Sequence, residues 1–408
     1  MCIGISRFFL IFAMNKNKLF FYLKIRVMLN NFEFRNPTKL IMGDGVIAKL
    51  SEEIPNSTKV MLTFGGGSVK KNGVYDQVKD ALKGYDIVEF WGIEPNPAIE
   101  TLRQAIELGK KENVGFLLAV GGGSVIDGTK LISAGLLYDG DAWDLVKKGF
   151  AAKTLPLGTV LTLPATGSEM NNGAVISCRE TKEKYAFYSN YPVFSILDPK
   201  VTFSLPDYQI ACGIADTFVH VMEQYLTKIG ESRVMDRWAE GIVQTLIEIA
   251  PQIRRDKHNY QLMADFMMSA TMALNGFIAM GVSQDWATHM IGHEITALTG
   301  LTHGHTLAIV LPGTMQVLRL AKGDKIIQLG ERVFGVKGDS VDEKIDATIY
   351  AVEQFFRSLG LTTRLSEENI GQDVIDEIER RFTSRGVHFG EDGLVTGDVA
   401  KEILMKVI

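Results

Sequence analysis

The sequence predicts an α/β half followed by an all-helical half, and three features carry that prediction. From about residue 34, short apolar runs alternate with amphipathic stretches: "KVMLTF", "YDQVKDALKGY", "DIVEFWGI", "TLRQAIELGKKENV" and "FLLAV". This is the pattern of βαβ units, which build a mostly parallel sheet with helices on both faces. Two of the apolar runs end in glycine clusters. Beyond Pro199 and Pro206 in "LDPKVTFSLPDYQIACG", the alternation gives way to long helical patterns.

In "RWAEGIVQTLIEIAPQI", Trp238, Ile242, Val243, Leu246 and Ile249 recur at helical spacing. Methionine-rich "LMADFMMSATMALNGFIAMG" reads as helix core filler. The boundary therefore falls near residue 205, giving an α/β half over 28–205 and a helical half over 206–408.

Composition narrows the function classes. The 408 residues are 46% hydrophobic and 22% charged, enough for a large core. A net charge of -5 without a basic stripe argues against nucleic acid as a partner. Cys2, Cys178 and Cys212 are far apart and form no C-x-x-C pair, which fits a reducing cytoplasm better than a disulfide framework. The N-terminal "MCIGISRFFLIFAMNKNKLFFYLKIRV" is basic and apolar, but its run from Phe8 to Met14 is broken by "NKNK" and no cleavage site follows. It falls short of the roughly 20 apolar residues of a membrane span. Residues 1–27 read as an extension outside the fold, with translation starting at Met28 and no membrane partner.

The glycine clusters are "LTFGGGSVKKNG" (Gly65, Gly66, Gly67, Ser68) and "LAVGGGSVIDGTKL" (Gly121, Gly122, Gly123, Ser124, Asp127). Each follows an apolar strand and opens a helical stretch, where backbone N–H groups and a helix N-terminus bind phosphate. Neither is G-x-G-x-x-G or a P-loop. One such cluster can be a plain tight turn; two in one α/β half favour a dinucleotide. No acid lies between Leu62 and Asn72 to accept a ribose 2′-hydroxyl. Gly66 and Ser68 leave space and a donor, and Lys70 and Lys71 add positive charge, so NADP(H) is favoured over NAD(H); the alternative for the two lysines is a solvated face.

In "IADTFVHVMEQYL", Asp216 and His220 are four residues apart and share a helical face. Separately, each is ordinarily a helix cap or a core histidine. Four of the seven histidines, however, lie in "WATHMIGHEITALTGLTHGHTLAIVLP". There His289 and His293 share a face, and His303 and His305 flank a glycine. A D-x-x-x-H with an H-x-x-x-H suits one divalent metal, Fe(II) or Zn(II). The absence of H-E-x-x-H argues against a zinc hydrolase.

Over Met28 to Ile408 the chain resembles the iron-containing alcohol dehydrogenase family, in particular its broad-specificity aldehyde reductase and butanol dehydrogenase branch. The resemblance rests on the run from Ser195 to Glu223, with Asp198, Pro206, Gly213, Asp216 and Glu223 in register, and on His289 through "LTHGHT". It implies an α/β N-terminal Rossmann-like domain followed by an all-α C-terminal domain, the dehydroquinate synthase-like architecture. It further implies Asp216, His220, His289 and His303 as metal ligands, with His293 near the nicotinamide in a proton relay. His305 stands where the family commonly has a small residue and competes with His303 as a ligand. "GGGSVIDGTK" resembles the pyrophosphate loop, giving Gly122, Gly123, Ser124 and Asp127; "PATGSEMNNGAVI" resembles the loop carrying Thr166, Ser168 and Asn171; Lys184 matches a cofactor-contacting lysine. The alternatives are that Asp127 caps its helix and Lys184 is a surface charge.

The activity so implied is a metal-dependent hydride transfer between NADP(H) and aliphatic aldehydes or primary alcohols, in a cytoplasmic homodimer. Two other classes compete. A lyase or cyclase of dehydroquinate synthase type needs Lys/Arg residues around the metal, whereas "ATHMIGHEITAL" and "TFVHVMEQYL" are apolar. A non-catalytic metal-binding protein leaves the glycine clusters unexplained.

Overall fold

The computed structural model describes residues 10–15, 18–23 and 29–408. Of the extension expected over residues 1–27, β1 (Leu10–Asn15) and β2 (Lys18–Leu23) pair antiparallel in a sheet of their own. Its remaining residues, and Met28, lie outside the described residues.

The first half alternates strands and helices as its pattern predicts. In chain order these are β3 (Lys39–Met42), α1 (Leu50–Glu53), β4 (Val60–Phe64), α2 (Ser68–Lys71), α3 (Val74–Ala81), β5 (Ile87–Phe90), α4 (Ile99–Lys111), β6 (Phe116–Gly121), α5 (Gly123–Gly135), α6 (Ala142–Lys148) and β7 (Leu157–Leu161). A hairpin of β8 (Gly173–Cys178) and β9 (Glu183–Tyr188) precedes β10 (Phe194–Leu197). Six strands form one parallel sheet in the order β3-β10-β7-β6-β4-β5. Every residue of β4, β6, β7 and β10 is buried, as expected of parallel strands covered on both faces.

The strand order places the glycine clusters. From β4 the chain moves outward to β5, returns past β4 to β6, and continues the other way to β7 and β10. The order thus reverses between β4 and β6, and the crevice at the carboxyl ends of strands flanking such a reversal is where open α/β sheets bind ligands. The two clusters follow those two strands, side by side because β4 pairs with β6.

The second half is helical: α7 (Asp207–Tyr225), α8 (Arg233–Arg255), α9 (Tyr260–Ala273), α10 (Ala287–Thr299), α11 (His303–Val317), α12 (Arg319–Leu329), α13 (Val341–Ser358), α14 (Gln372–Arg385) and α15 (Gly397–Met405). Three of their starts carry side-chain caps: Ser232 on α8, Asn259 on α9 and a Ser340–Glu343 capping box on α13. Helix α7 is buried continuously from Ile210 to Tyr225 and packs along α11. Among the described residues no helix is long and apolar enough to cross a membrane.

The halves meet at the loop after β7. A Cβ on Gly213 of α7 would lie 2.6 Å from the Pro164 carbonyl oxygen, and Asn171 Nδ2 donates to the Leu274 carbonyl at 3.0 Å. On the sheet side, a Cβ on Gly123 would stand 2.3 Å from Thr166 Oγ1, so the first turn of α5 abuts the same loop. Gly66 is different: its φ is not positive and nothing lies within 4 Å of its missing Cβ. Gly123→Ala is therefore expected to cost about 1–3 kcal/mol in urea unfolding through overpacking. Gly66→Ala is expected to stay within about 0.5 kcal/mol of the parent.

Candidate metal and cofactor site

Helical spacing brings the metal candidates together. Asp216, His220 and Glu223 follow one another at i, i+4 and i+7 along a face of α7, while His289 and His293 lie one turn apart on α10 and His303 opens α11. Asp216 Oδ1 lies 3.6 Å from His220 Nδ1, 3.8 Å from His289 Nε2 and 3.9 Å from His303 Nε2. These gaps exceed a hydrogen bond and approach the roughly 3.4 Å edge between ligand atoms around a tetrahedral ion. Asp216, His289 and His303 each offer a ligand atom within 4.8 Å of the others; His220 stands beside Asp216 outside that tighter group. Asp216 Oδ1, His220 Nδ1 and His289 Nε2 are buried without a hydrogen-bond partner. Such atoms fit a bound cation.

Glu223 prepares one ligand. Its Oε2 sits 2.6 Å from His289 Nδ1, and its carboxylate accepts the backbone N–H of Thr288 at 2.6 Å and of His289 at 3.2 Å. A carboxylate on Nδ1 holds the proton there and presents Nε2 to a metal. Burial pushes the His289 pKa down, but Glu223 and Asp216 outweigh it and raise it to about 9. Burial lowers His220 to about 4 and drives His293 and His303 well below the ordinary 6.5. For Asp216 burial works upward, yet His220 and His289 hold it below its usual value. An ionised carboxylate among largely neutral imidazoles is a donor set that Fe(II) and Zn(II) accept.

Position on the helix separates His303 from His305. Two residues apart on α11, they point about 160° apart. His303 joins the cluster, whereas His305 Nδ1 meets Tyr208 Oη at 3.0 Å and its Nε2 meets Thr362 Oγ1 at 2.7 Å.

The glycine-cluster candidates lie at the carboxyl ends of the interior strands β4 and β6. Helix α5 follows its N-cap Gly122 without a side-chain cap bond and has no acid in its first turn, leaving a positive helix end open to phosphate. Gly66 offers an uncrowded backbone surface beside it, and Lys70 Nζ lies 4.0 Å above the Trp91 ring. The acid on β5, Glu89, is engaged on both oxygens: Tyr75 Oη and Lys79 Nζ at 3.0 Å on one, Trp91 Nε1 at 3.0 Å on the other. The Ser124 hydroxyl accepts from the Asn96 N–H at 3.3 Å, and Asn96 Oδ1 accepts from Lys184 Nζ at 2.9 Å. Lys184 is only 9% exposed, which rules out a free surface charge. Burial brings its pKa down to about 8 against the pull of Asp216 and Asp127, and its charge in turn depresses His293 and His303. Lys184, bonded to Asn96 beside the candidate cofactor loop, lies on β9, which packs against the α10 that carries His289 and His293.

Asp127 does not cap α5. It accepts Ser168 Oγ at 2.5 Å and the Val175 N–H at 2.9 Å. Beside it, Lys130 is 0% exposed and donates to Ser168 Oγ, Asn171 Oδ1 and the Gly173 carbonyl at 2.8, 3.1 and 2.7 Å. Burial lowers its pKa to about 8. Ser168 and Asn171 therefore hold the loop's shape through bonds inside the protein, with Thr166 Oγ1 accepting the Ser168 N–H at 3.3 Å. Sequence reasoning missed Lys130, Asn96 and the closed state of Glu89. A lysine in the otherwise apolar "GTKLISAGL" was the only available signal.

A pH test follows from His289. Its folded pKa is raised from 6.5 to about 9, so in metal-free protein the pair with Glu223 contributes stability that is full below 6.5 and lost as pH rises through about 9. In urea unfolding of metal-free protein, the stability gap between the parent and Glu223→Gln is expected to be larger at pH 6 than at pH 9.5.

Comparison with known proteins agrees with this arrangement. Residues 37–199 match the family described as iron-containing alcohol dehydrogenase, and residues 210–391 match the C-terminal region of the same family. The chain is 49% identical over 382 residues to the NADPH-dependent aldehyde reductase YqhD of Escherichia coli (strain K12), covering 92% of this chain and 99% of that one. It is 43% identical over 371 residues to the probable NADH-dependent butanol dehydrogenase 1 of Bacillus subtilis (strain 168), covering 89% and 96%. The crystal structure of E. coli K-12 YqhD superposes with a TM-score of 0.92 at 48% identity, over 94% of this chain and 100% of that chain. The NADH-dependent butanol dehydrogenase A of Thermotoga maritima gives 0.89 at 37% identity, over 93% and 99%. With both halves matched and relatives covered almost end to end, the chain belongs to the iron-containing alcohol dehydrogenase family.

Proposed function

We propose that the protein is a metal-dependent oxidoreductase that moves hydride between NADP(H) and aliphatic aldehydes or primary alcohols. The observation that carries this reading is the convergence, around Lys184, of partnerless buried ligand atoms with an open helix end and glycine cradle at the sheet's reversal point. In this reading residues 28–205 bind the dinucleotide and residues 206–408 bind the metal.

Asp216, His220, His289 and His303 would hold the ion, with Glu223 fixing the His289 tautomer. Gly65, Gly66, Ser68, Gly122, Gly123 and Ser124 would hold the phosphates, and Lys184 would stand at the junction. Bound there, a divalent cation supplies Lewis acidity toward a carbonyl oxygen and a nicotinamide supplies the hydride. The chain's own task is to align the two and keep water out. His293, buried, held neutral by that burial and with an unpartnered Nδ1, would accept or return a proton at that atom.

The named relatives include both NADPH- and NADH-dependent enzymes, so the cofactor assignment rests on residues. Space at Gly66, a hydroxyl at Ser68, cations at Lys70 and Lys71, and a Glu89 whose oxygens are already occupied all favour a 2′-phosphate. Reduced, buried Cys178 and Cys212 suit a cytoplasmic location, and a homodimer is the working assembly by family analogy. Sedimentation of the purified chain checks the latter.

Stripping the metal is expected to abolish NADPH oxidation with butanal, and Fe(II) or Zn(II) to restore it; Asp216→Asn is expected to stay inactive with either ion. A parent enzyme that turns over without metal would overturn the assignment. Gly66→Asp places a carboxylate against the proposed phosphate. It is expected to lower the NADPH-over-NADH preference in kcat/KM by about tenfold or more, with kcat for NADH retained.

A further inference from the structure

His305 is a histidine that the proposed chemistry does not use, yet both of its ring nitrogens are engaged. It is 3% exposed, with Nδ1 3.0 Å from Tyr208 Oη and Nε2 2.7 Å from Thr362 Oγ1 and 3.2 Å from the Thr362 carbonyl oxygen. The Thr362 hydroxyl donates to Glu368 Oε1 at 2.6 Å. With its proton committed there, Thr362 offers His305 only acceptors, so Nε2 carries the ring proton and Nδ1 accepts from Tyr208. A directed hydrogen-bond chain results: Tyr208 to His305, His305 to Thr362, Thr362 to Glu368.

Its endpoints matter. Tyr208 lies in the first turn of α7, eight residues before Asp216, and His305 lies in the first turn of α11, two residues after His303. These are the helices that bring Asp216, His220 and His303 to the cluster. They touch at the same level, because a Cβ on Gly304 would lie 2.1 Å from the Cys212 carbonyl oxygen. That backbone contact sets how closely the two buried helices approach, and the side-chain chain adds directed restraints on their rotation and sliding at this end. The same chain anchors both helix starts to the segment that follows α13.

The geometry points to His305 as a positioning residue for the metal cluster: through Tyr208 and Thr362 it locks the start of α11 against the start of α7, and so sets His303 relative to Asp216. This rests on the metal-site reading above and adds a residue that touches neither metal nor cofactor.

The test measures Zn(II) affinity of metal-free protein by competition with a chromophoric chelator, alongside NADPH affinity without metal and the thermal midpoint. His305→Ala is expected to weaken Zn(II) binding about 10–100-fold, in the range typical of residues that orient metal ligands. Tyr208→Phe and Thr362→Val are expected to weaken it by smaller factors, and His305→Gln, which keeps a donor and an acceptor, to recover part of the loss. NADPH affinity should be unchanged in each. Should His305→Ala fail to fold, Tyr208→Phe, which deletes one hydroxyl, carries the test. Zn(II) affinity within twofold of the parent in folded Tyr208→Phe and Thr362→Val would overturn the proposal. So would equal losses of Zn(II) and NADPH binding, the mark of general loosening. Asp216→Asn serves as the control: if it binds Zn(II) as tightly as the parent, the metal-site reading itself has failed.

Discussion

A carboxylate at 3% exposure, with one oxygen that no protein donor reaches, is the constraint around which this structure is arranged. Removing an ionised carboxylate from water is costly unless a countercharge and directed partners replace the hydration shell. Around Asp216 the nearest groups are imidazoles at 3.6 to 3.9 Å, too far to be hydrogen-bonded and placed as an ion's ligands would be. Burial keeps three of the histidines of this region, His220, His293 and His303, from carrying charge of their own. His289, raised to about 9, and Lys184 supply part of the countercharge, while the unpartnered Asp216 oxygen and imidazole nitrogens leave a place that fits a cation.

Much of the surrounding structure fixes that arrangement. Glu223 holds His289 from behind and also accepts the backbone N–H groups where α10 begins. The backbone contact at Gly304 fixes the approach of α11 to α7. Across the cleft, Lys130 and Asp127 brace the loop between β7 and β8 through Ser168, Asn171 and Val175. Buried charges that each find several hydrogen bonds make a rigid framework, because moving any one leaves another unpaired in a medium of low dielectric. In the proposed reading, a nucleotide-binding sheet faces a metal-binding helical half because these contacts meet along one seam.

Spacing made part of this site legible in advance. Asp216 with His220, and His289 with His293, are four apart, and the helix period alone puts each pair on one face. The glycine clusters were legible because each ends an apolar strand and opens a helix. Other features were not. His303 and His305 flank the same glycine, and nothing in "LTHGHT" says which faces inward until α11 is packed against α7. Lys130 reads as an ordinary charged residue, and the residue pattern alone left Lys184 open between a cofactor contact and a surface charge, since burial of a lysine depends on acceptors that arrive from distant loops, some forty residues away for Lys130 and 88 for Lys184. Glu89 likewise reads as free until Tyr75, Lys79 and Trp91 converge on it.

By itself the sequence determined the alternation of strands and helices, the change to helix after Pro206, and which residue types share a helical face, because these depend on local periods of two and 3.6 residues. The strand order, with its reversal between the two glycine-bearing strands, was decided by tertiary structure, as was the meeting of α7, α10 and α11 around Asp216. Those choices depend on contacts between residues far apart in the chain, where shape, burial and hydrogen-bond satisfaction must be met together and no local pattern records the answer.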